Sequence, residues 1–415
     1  MCNQARECDA TFCPCPASKT MEVGKVSILR GSLSRCPAAM LAIVVLALTS
    51  WGSPASSSPT QHPTGTRTSA IEPLSSTTAA EVSSAPASIS FPTLDDGYIA
   101  ESDYLAHTVD AARSWSEIRP GLGTVEQVQF LTPTDGFVLT REGLFSTTDA
   151  GSTWKPSGSL LPALAWISFT TLRDGWGLAD GVLWRTTNAG ATWQRLVTPT
   201  PATTACFVSA DTGWSAGTAH SKPSPIISET VDGGATWSNR RLPPTLERET
   251  GLPPYSMPVL SCAAPTTIWA LVVPAGAGYA GGETYGVYDS SNGGRSWRLA
   301  GVNPAKEKLP AAPSAQPDAL EVAKNSTTAY LAASCGGCDS GGTTTVGVLT
   351  GDHTEWHIAL LKGAGFSSVV LMAFPMTSSA WAVTAHLTSR MYRLMLFETQ
   401  NFGSTWTLRP IFGTR

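Results

Sequence analysis

The octapeptide Thr147–Trp154 reads TTDAGSTW, and it recurs along this chain of 415 residues. Four further copies begin at Thr186 (TTNAGATW), Thr230 (TVDGGATW), Ser290 (SSNGGRSW) and Thr399 (TQNFGSTW). Two degenerate copies begin at Thr108 (TVDAARSW) and Gly351 (GDHTEW). Recurrence at this period is typical of a repeat architecture, so the chain is best treated as one array of related units.

The chemistry of the octapeptide predicts a tight turn. Asp149 can accept hydrogen bonds from backbone N–H groups two or so residues further on, and Gly151 can adopt a positive φ without steric cost. Trp154 then brings a large apolar surface into the next strand. We therefore predict one hairpin turn per unit, built by the equivalent residues Asp110, Asp149, Gly151, Trp154, Asn188, Gly190, Trp193, Asp232, Gly234, Trp237, Asn292, Gly294, Trp297, Asn401, Gly403 and Trp406.

A second motif places an aromatic residue after a turn, and it counts the same units. The clear cases are Asp-Gly-Tyr98, Asp-Gly-Phe137, Asp-Gly-Trp176 and Thr-Gly-Trp214, and weaker ones end at Trp269, Tyr330 and Trp381. Each unit of about 40 residues has room for four short strands, which is the size of a propeller blade. The sequence thus predicts an all-β, seven-bladed β-propeller of four-stranded antiparallel blades over residues 86–412, with the motif turns between strands C and D.

The pattern [ST]-x-[DN]-x-G-x-[ST]-W resembles the Asp-box, or bacterial neuraminidase repeat. In propellers that carry it, the resemblance implies a structural turn away from the functional face. Residues 174–193 also resemble the exported, single-domain propellers typified by the photosystem II stability/assembly factor. This resemblance covers residues 86–412 and implies a non-catalytic scaffold. The family's basic client-binding patch has no counterpart here, because the Arg residues are scattered and the net charge is −4.

Enzymatic relatives of the Asp-box propellers supply the alternative hypothesis. Sialidases would require an Arg-x-Pro motif in the first inner strand, whereas Ala87–Pro92 contains no Arg. Xyloglucanase-type hydrolases pair two propellers, and we expect one. A glycoside hydrolase needs two carboxylates about 5–9.5 Å apart, for which the loops offer Glu247, Glu249, Glu283 and Asp339. The sequence favours a protein without catalysis or cofactor, and an exported carbohydrate-active propeller, hydrolase or lectin, is the alternative.

Loop lengths predict where a partner would bind. Long insertions occur from blade 4 onward between strands B and C, and between strand D and the next strand A. In a four-stranded meander these connections leave the face opposite the motif turns, and loops on a rigid scaffold commonly carry function. We expect the loop face of blades 4–7 to bind a protein, for which a membrane complex is one candidate, with a glycan as the alternative. A net charge of −4 argues against nucleic acid, and we expect a monomer.

The N-terminal region predicts export. Residues 1–20 have the character of a mis-assigned start or a cytoplasmic tail. Residues 21–55 combine Lys and Arg with a following apolar run, as in a signal peptide or signal anchor. Residues 56–85 are rich in Ser, Thr and Pro and predict a disordered tether. We expect an extracytoplasmic protein that is secreted or anchored to the cytoplasmic membrane.

The cysteines leave alternatives open. Cys335 and Cys338, followed by His353 and His357, match a zinc spacing, but strand C would separate the two pairs, so we expect no metal and a local disulfide between Cys335 and Cys338. Cys206 and Cys262 occupy matching positions of neighbouring A strands, where they are either buried small residues or a disulfide between blades.

Overall fold

The computed structural model describes residues 65–413 except 159–161, 220–221, 244–255, 275–284, 304–315, 324–326, 336–342, 350–355 and 366. In this part of the chain every regular secondary-structure element is a β-strand. Strands β5 to β32 form seven four-stranded antiparallel sheets. The predicted seven-bladed propeller is therefore confirmed. Blades 1 and 2 contain β5 (Ser88–Ser90), β6 (Gly97–Glu101), β7 (Tyr104–Thr108), β8 (Trp115–Arg119), β9 (Val125–Phe130), β10 (Gly136–Thr140), β11 (Gly143–Thr147) and β12 (Thr153–Pro156).

The remaining blades follow the same order, with the four strands of each blade called A to D. Blades 3 and 4 contain β13 (Trp166–Phe169), β14 (Gly175–Ala179), β15 (Val182–Thr186), β16 (Gln194–Arg195), β17 (Thr204–Phe207), β18 (Gly213–Ala219), β19 (Lys222–Thr230) and β20 (Ser238–Arg240). Blade 5 contains β21 (Ser256–Ala264), β22 (Thr267–Pro274), β23 (Tyr285–Ser290) and β24 (Arg298–Asn303). Blades 6 and 7 contain β25 (Gln316–Val322), β26 (Ala329–Cys335), β27 (Thr343–Leu349), β28 (His357–Leu360), β29 (Ser368–Met376), β30 (Ser379–Leu387), β31 (Tyr392–Thr399) and β32 (Thr407–Arg409).

The A strands are innermost and contact the A strands of neighbouring blades, including β29 with β5 across the closure. Polar side chains make some of these contacts specific. The Gln129 amide on β9 donates to the Phe169 carbonyl on β13 at 2.9 Å and accepts from the Phe169 N–H at 2.8 Å. A side-chain amide thus replaces the backbone ladder that blades cannot form with one another.

A packing unit of glycine and phenylalanine joins successive blades. Phe169, at the end of strand A, lies over Gly175, where a Cβ atom would come within 2.5 Å of the ring. The same ring stacks on Phe137 of the preceding blade with centroids 3.8 Å apart. Blades 1, 2 and 4 repeat the arrangement with Phe91 over Gly97, Phe130 over Gly136 and Phe207 over Gly213.

Blades 5 to 7 vary both members of this unit together. The glycine position holds Ile268, Ala329 and Ala380, and the residue that occupies the Phe169 position is Cys262, Val322 or Phe374. Phe374 keeps an aromatic neighbour, Tyr330, but the two rings are tilted by 47°. A side chain at the glycine position is therefore accompanied by a smaller or reoriented residue opposite.

Strands outside the blades correct the predicted disordered tether. Residues 67–84, called the N-terminal strap, contain β1 (Arg67–Thr68), β2 (Ala70–Leu74), β3 (Ser76–Thr77) and β4 (Ala80–Val82). They pair with β12 of blade 2, β8 of blade 1, β33 (Ile411–Phe412) and β31 of blade 7 respectively. The tether prediction is thus wrong for residues 65–85, and the part from 56 to 64 lies outside the described residues.

The strap is ordered although its composition is polar, because the outer blade strands supply hydrogen-bond partners along its length. Few apolar side chains are then needed to hold it. Ala80 and Val82 are each only 2% exposed and pack with Leu394 of blade 7. Amino-acid composition reflects the number of apolar residues in a segment and contains no information about the hydrogen-bond partners that a neighbouring sheet edge provides.

Ring closure combines a strand contributed by the N-terminal strap with direct packing of the two terminal blades. Blade 7 has its own outer strand, β32, and β4 of the strap pairs with the remaining length of β31. The two terminal blades also pack directly, because Trp381 stacks on Phe91 at 4.7 Å and the Trp115 indole donates to the Pro410 carbonyl at 3.2 Å.

The predicted segments 1–20 and 21–55 lie before the first described residue. From residue 65 onward, no helix of the described chain is long and apolar enough to cross a membrane.

Candidate binding face

The B–C hairpins of the later blades rise above those of the earlier ones. In blade 1 the B and C strands pair from Gly97–Thr108 to Glu101–Tyr104, over five residue pairs. In blade 7 they pair from Ala380–Thr399 to Leu387–Tyr392, over eight pairs. Since both ladders start at the motif turn, the three additional pairs extend the opposite face by roughly 10 Å at about 3.3 Å per residue.

The other late blades are elongated in the same direction. The described strands β18, β19, β22, β26 and β27 have seven to nine residues, compared with five in the B and C strands of blades 1 to 3. Part of each predicted insertion is therefore extended hairpin. The loop tips at 220–221, 275–284 and 336–342 lie outside the described residues, as do most of the D–A insertions.

The hairpin of blade 7 is described completely and shows what this raised rim presents. Its turn is fixed by Thr388, whose N–H and hydroxyl both donate to the Met391 carbonyl, at 2.8 and 2.7 Å. Leu387 is 42% exposed, and Arg390 is also exposed. An apolar side chain beside a cation on a rigid turn is suited to contact another macromolecule.

One carboxylate in the inner wall has an altered pKa. Glu321 on β25 accepts a hydrogen bond from the Ser261 hydroxyl of blade 5 at 3.1 Å, and Ser261 in turn accepts from the Val322 N–H at 3.0 Å. Solvent reaches Glu321, yet protein atoms crowd around it, and this desolvation raises its pKa to about 7 against the opposing effect of the Ser261 bond.

The carboxylate pair of a glycosidase is not found among the described inner-strand side chains. Besides Glu321, the described acidic side chains of these strands include Glu126, which forms an ion pair with Arg141 at 3.1 Å. Asp318 also belongs to β25, but its side chain lies outside the described part of the structure. The four acids considered from the sequence, Glu247, Glu249, Glu283 and Asp339, all fall in segments that the structure leaves undescribed.

A disulfide links the inner strands of blades 4 and 5. Cys206 and Cys262 are bonded, with Cα atoms 6.0 Å apart. The expectation of matching positions is off by one residue, because Cys206 lies opposite Trp214 whereas Cys262 lies opposite Ile268. Since side chains alternate between the faces of a strand, this offset directs the two sulfurs towards each other.

Removing this disulfide should weaken the propeller. For the 56-residue separation, chain-entropy arguments give about 4 kcal/mol. We expect Cys206→Ser to lower the free energy of unfolding by roughly that amount in denaturant titrations. Cys262→Ser and the double variant should match it, because each change removes the same bond. Free thiols at both positions in a non-reducing mass spectrum of the wild type would contradict this prediction.

The predicted turn residues lie on the opposite face. Asp149 accepts from the Thr153 N–H at 2.8 Å and from the Thr153 hydroxyl at 2.6 Å. The N–H that donates to Asp149 is thus four residues further on, and not two as predicted. The N–H two residues on, that of Gly151, instead donates to the Thr147 hydroxyl oxygen at 3.0 Å. The same bonds to backbone recur at Asp110, Asn188, Asp232, Asn292 and Asn401.

Backbone conformation explains the residue choices in these turns. Gly151 has φ +84°, and the preceding Ala150 also has a positive φ, +55°. Positive φ recurs at Gly190, Gly234, Gly294 and Gly403. The turns also contact the preceding blade, because a Cβ on Gly190 would lie 2.6 Å from the Leu144 side chain. They are interlocking structural turns as well as hairpin connections.

A cavity of about 250 Å³ lies on the motif face, lined by blade 5 residues and by Thr327, which precedes the B strand of blade 6. Its charged lining residues, Asp289 and Arg298, form an ion pair at 2.9 Å. Within the described residues, no group of three or more His, Cys, Asp or Glu side chains is placed to hold a metal ion. Cys335 ends β26 and His357 begins β28, while Cys338 and His353 are not described, so the predicted local disulfide stays a prediction.

Comparisons with known proteins identify the architecture. No family model matches the sequence, and no curated protein matches it. The solved structure of YCF48 bound to D1 peptide is 14% identical, with a TM-score of 0.49 over 82% of this chain and 99% of that chain. YCF48 from Cyanidioschyzon merolae is 14% identical, with a TM-score of 0.44 over 83% of this chain and 90% of that chain.

An ancestral GH74 enzyme is 12% identical, with a TM-score of 0.50 over 78% of this chain and 47% of that chain. This chain therefore spans about half the length of that enzyme. At such identities the likeness concerns the fold alone, and it is the seven four-stranded sheets that make this chain a β-propeller.

Proposed function

We propose that this protein is an exported, non-catalytic propeller that binds a protein partner through the loop face of blades 4–7. The observation that carries the proposal is the elongation of the B–C hairpins in these blades only. A raised, one-sided rim on a rigid ring gives a large contact surface, whereas the motif face is filled with near-identical structural turns.

The disulfide between Cys206 and Cys262 supports export, because such bonds persist in oxidising compartments and are rare in the cytosol. It also ties together the inner strands of blades 4 and 5 near their motif-face ends, and so stiffens the ring from which the rim projects. A preformed surface loses less conformational entropy on binding than a mobile one.

A photo-crosslinking experiment tests the binding face. The photoreactive residue p-benzoylphenylalanine is placed at Leu387 or Arg390 of the full-length protein in its native membranes, with Glu142 on the shorter hairpin of blade 2 as the matched control. We expect one identified protein to crosslink from both blade 7 positions and not from Glu142. Shortening the blade 7 hairpin to the five pairs of the blade 1 hairpin removes both probe positions, and a probe placed in the new, lower turn should no longer give the adduct. Equal labelling from Glu142 would contradict the assignment.

The alternative, a carbohydrate-active propeller, is favoured by one observation, the solvent-accessible Glu321 carboxylate on the inner wall, which the Ser261 hydroxyl positions by a hydrogen bond at 3.1 Å and whose pKa is raised. A glycoside hydrolase acting through this residue would release reducing sugar from envelope polysaccharide, and Glu321→Gln would abolish that release. A lectin would bind the polysaccharide saturably and tolerate Glu321→Gln. Either result, without a protein crosslink at Leu387, would replace the scaffold proposal.

A further inference from the structure

The strap, blade 1 and the end of blade 7 meet around a buried carboxyl group. Glu101 ends β6 and is 3% exposed. The Ser84 hydroxyl, directly after β4 of the strap, donates to Glu101 Oε1 at 3.0 Å. Glu101 Oε2 is buried and has no hydrogen-bond partner among the described residues.

The guanidinium group of Arg119, on the neighbouring strand β8, is already paired with carboxylates other than Glu101. Arg119 forms ion pairs with the buried Glu117 and, at 2.9 Å, with Asp103. No ion pair to Glu101 occurs in the part of the chain described. Burial raises the pKa of Glu101 to about 7, with the Ser84 bond acting in the opposite direction. Burial also raises the pKa of Tyr104, and the charges of Glu101 and Glu117 add to that effect.

The surrounding elements add no compensating cation. Titratable and charged groups near Glu101 are Asp103 and Tyr104 on its own hairpin, Glu117 and Arg119 on β8, Glu72 and Glu81 on the strap, and Tyr392 and Arg393 on β31. Arg393 is exposed and lies opposite Glu81 in the register of β31 with β4. An ionised Glu101 would therefore be a buried negative charge without an ion-pair partner among the described residues, which is costly.

We propose that Glu101 is a pH-sensitive latch that holds the N-terminal strap on the closed ring when its carboxyl is protonated and loosens it when the carboxyl ionises. The sign follows from the direction of the shift. A carboxyl whose pKa is higher in the folded state stabilises that state fully below the ordinary value of 4.5, and this contribution is lost as the pH rises towards about 7. The strap is held most firmly in mildly acidic surroundings and opens more often above neutrality.

Hydrogen exchange measures this opening directly in the full chain. Protection factors of the strap amides, residues 67–84, correct for the intrinsic pH dependence of exchange. For a pKa that moves from about 7 to about 4.5 on opening, these factors should fall about tenfold between pH 6 and pH 8. The amides of β14 in blade 3, which the strap does not touch, should not change in parallel.

Two substitutions distinguish the latch from general pH effects. Glu101→Gln keeps the shape of the protonated acid and should give strap protection that is independent of pH over this range. Glu81→Gln, on the exposed side of the strap, should retain the wild-type dependence. If the Glu101→Gln variant does not fold, Glu101→Leu also removes the titrating carboxyl and should likewise give strap protection that is independent of pH. An undiminished pH dependence in a folded Glu101 variant would overturn the proposal, as would flat protection factors in the wild type.

Discussion

Gly175→Val should lower the free energy of unfolding by at least about 3 kcal/mol, the upper part of the range for overpacked cores. Its Cβ would lie 2.5 Å from the Phe169 ring. That ring cannot retreat, because Phe137 stacks on it from the preceding blade and Trp193 meets it edge-on. Denaturant titration followed by tryptophan fluorescence and circular dichroism would measure the loss.

The chain contains its own compensated version of this unit, and a double-mutant cycle can use it. Blade 6 places Val322 opposite Ala329, so Phe169→Val combined with Gly175→Ala rebuilds that pair in blade 3. We expect the double variant to be more stable than the sum of the single losses predicts, by about 1–3 kcal/mol. Ala329→Gly is the matched control and should cost only about 0.5–1 kcal/mol, the entropic cost of glycine in a strand. Simple additivity would show that the two positions do not constrain each other.

This packing unit also shows what sequence reasoning missed. The spacing Phe-x5-Gly-aromatic is visible four times, from Phe91, Phe130, Phe169 and Phe207. From the sequence alone, the aromatic residue serves to count the blades, and the glycine before it is interpreted as part of a turn. Gly175 in fact occupies a strand and is required by the ring above it. Recognising that requires the strand register, which places Phe169 opposite Gly175.

The blade count and the strand order could be predicted because each repeat contains a turn whose residues interact with one another locally. Thr147, Asp149 and Gly151 satisfy one another within a single turn, so their roles do not depend on the rest of the fold. Contacts between distant segments have no such local pattern. The disulfide of Cys206 with Cys262 depends on a one-residue offset between blades, which only the three-dimensional register reveals.

The sequence indicates the proposed binding face as a direction and not as a set of residues. The extra length of the B–C connections is enough to say which face carries the insertions, because a meander alternates its connections between two sides. The chemistry at that face depends on side chains such as Leu387 and Arg390, whose exposure follows from the turn at Thr388 and Met391. No spacing rule in the sequence singles them out.

Removing the N-terminal strap should cost the propeller several kcal/mol of stability and make it self-associate. A chain that starts at Pro86 loses Val82, and burying one such side chain contributes about 2 kcal/mol. It also uncovers the outer edges of β8, β12 and β31, which the strap pairs with in the intact chain. Open strand edges are templates for pairing with other chains. Thermal unfolding and light scattering would report both effects.

A chain that starts at Gly65 is the matched control, since it removes the preceding residues and keeps every strap strand. We expect it to melt like the full chain and remain monomeric. Because the strap pairs with the blade edges along its whole length, a synthetic peptide of residues 65–85 should rebind to the shortened propeller. Such binding would raise the melting temperature in proportion to the logarithm of peptide concentration once binding is saturated. If the Pro86 chain were equally stable and monomeric, ring closure would rest on the contacts of Trp381 with Phe91 and of Trp115 with Pro410. The strap would then be an attachment to a ring that is already closed, and Glu101 would have no latch to control.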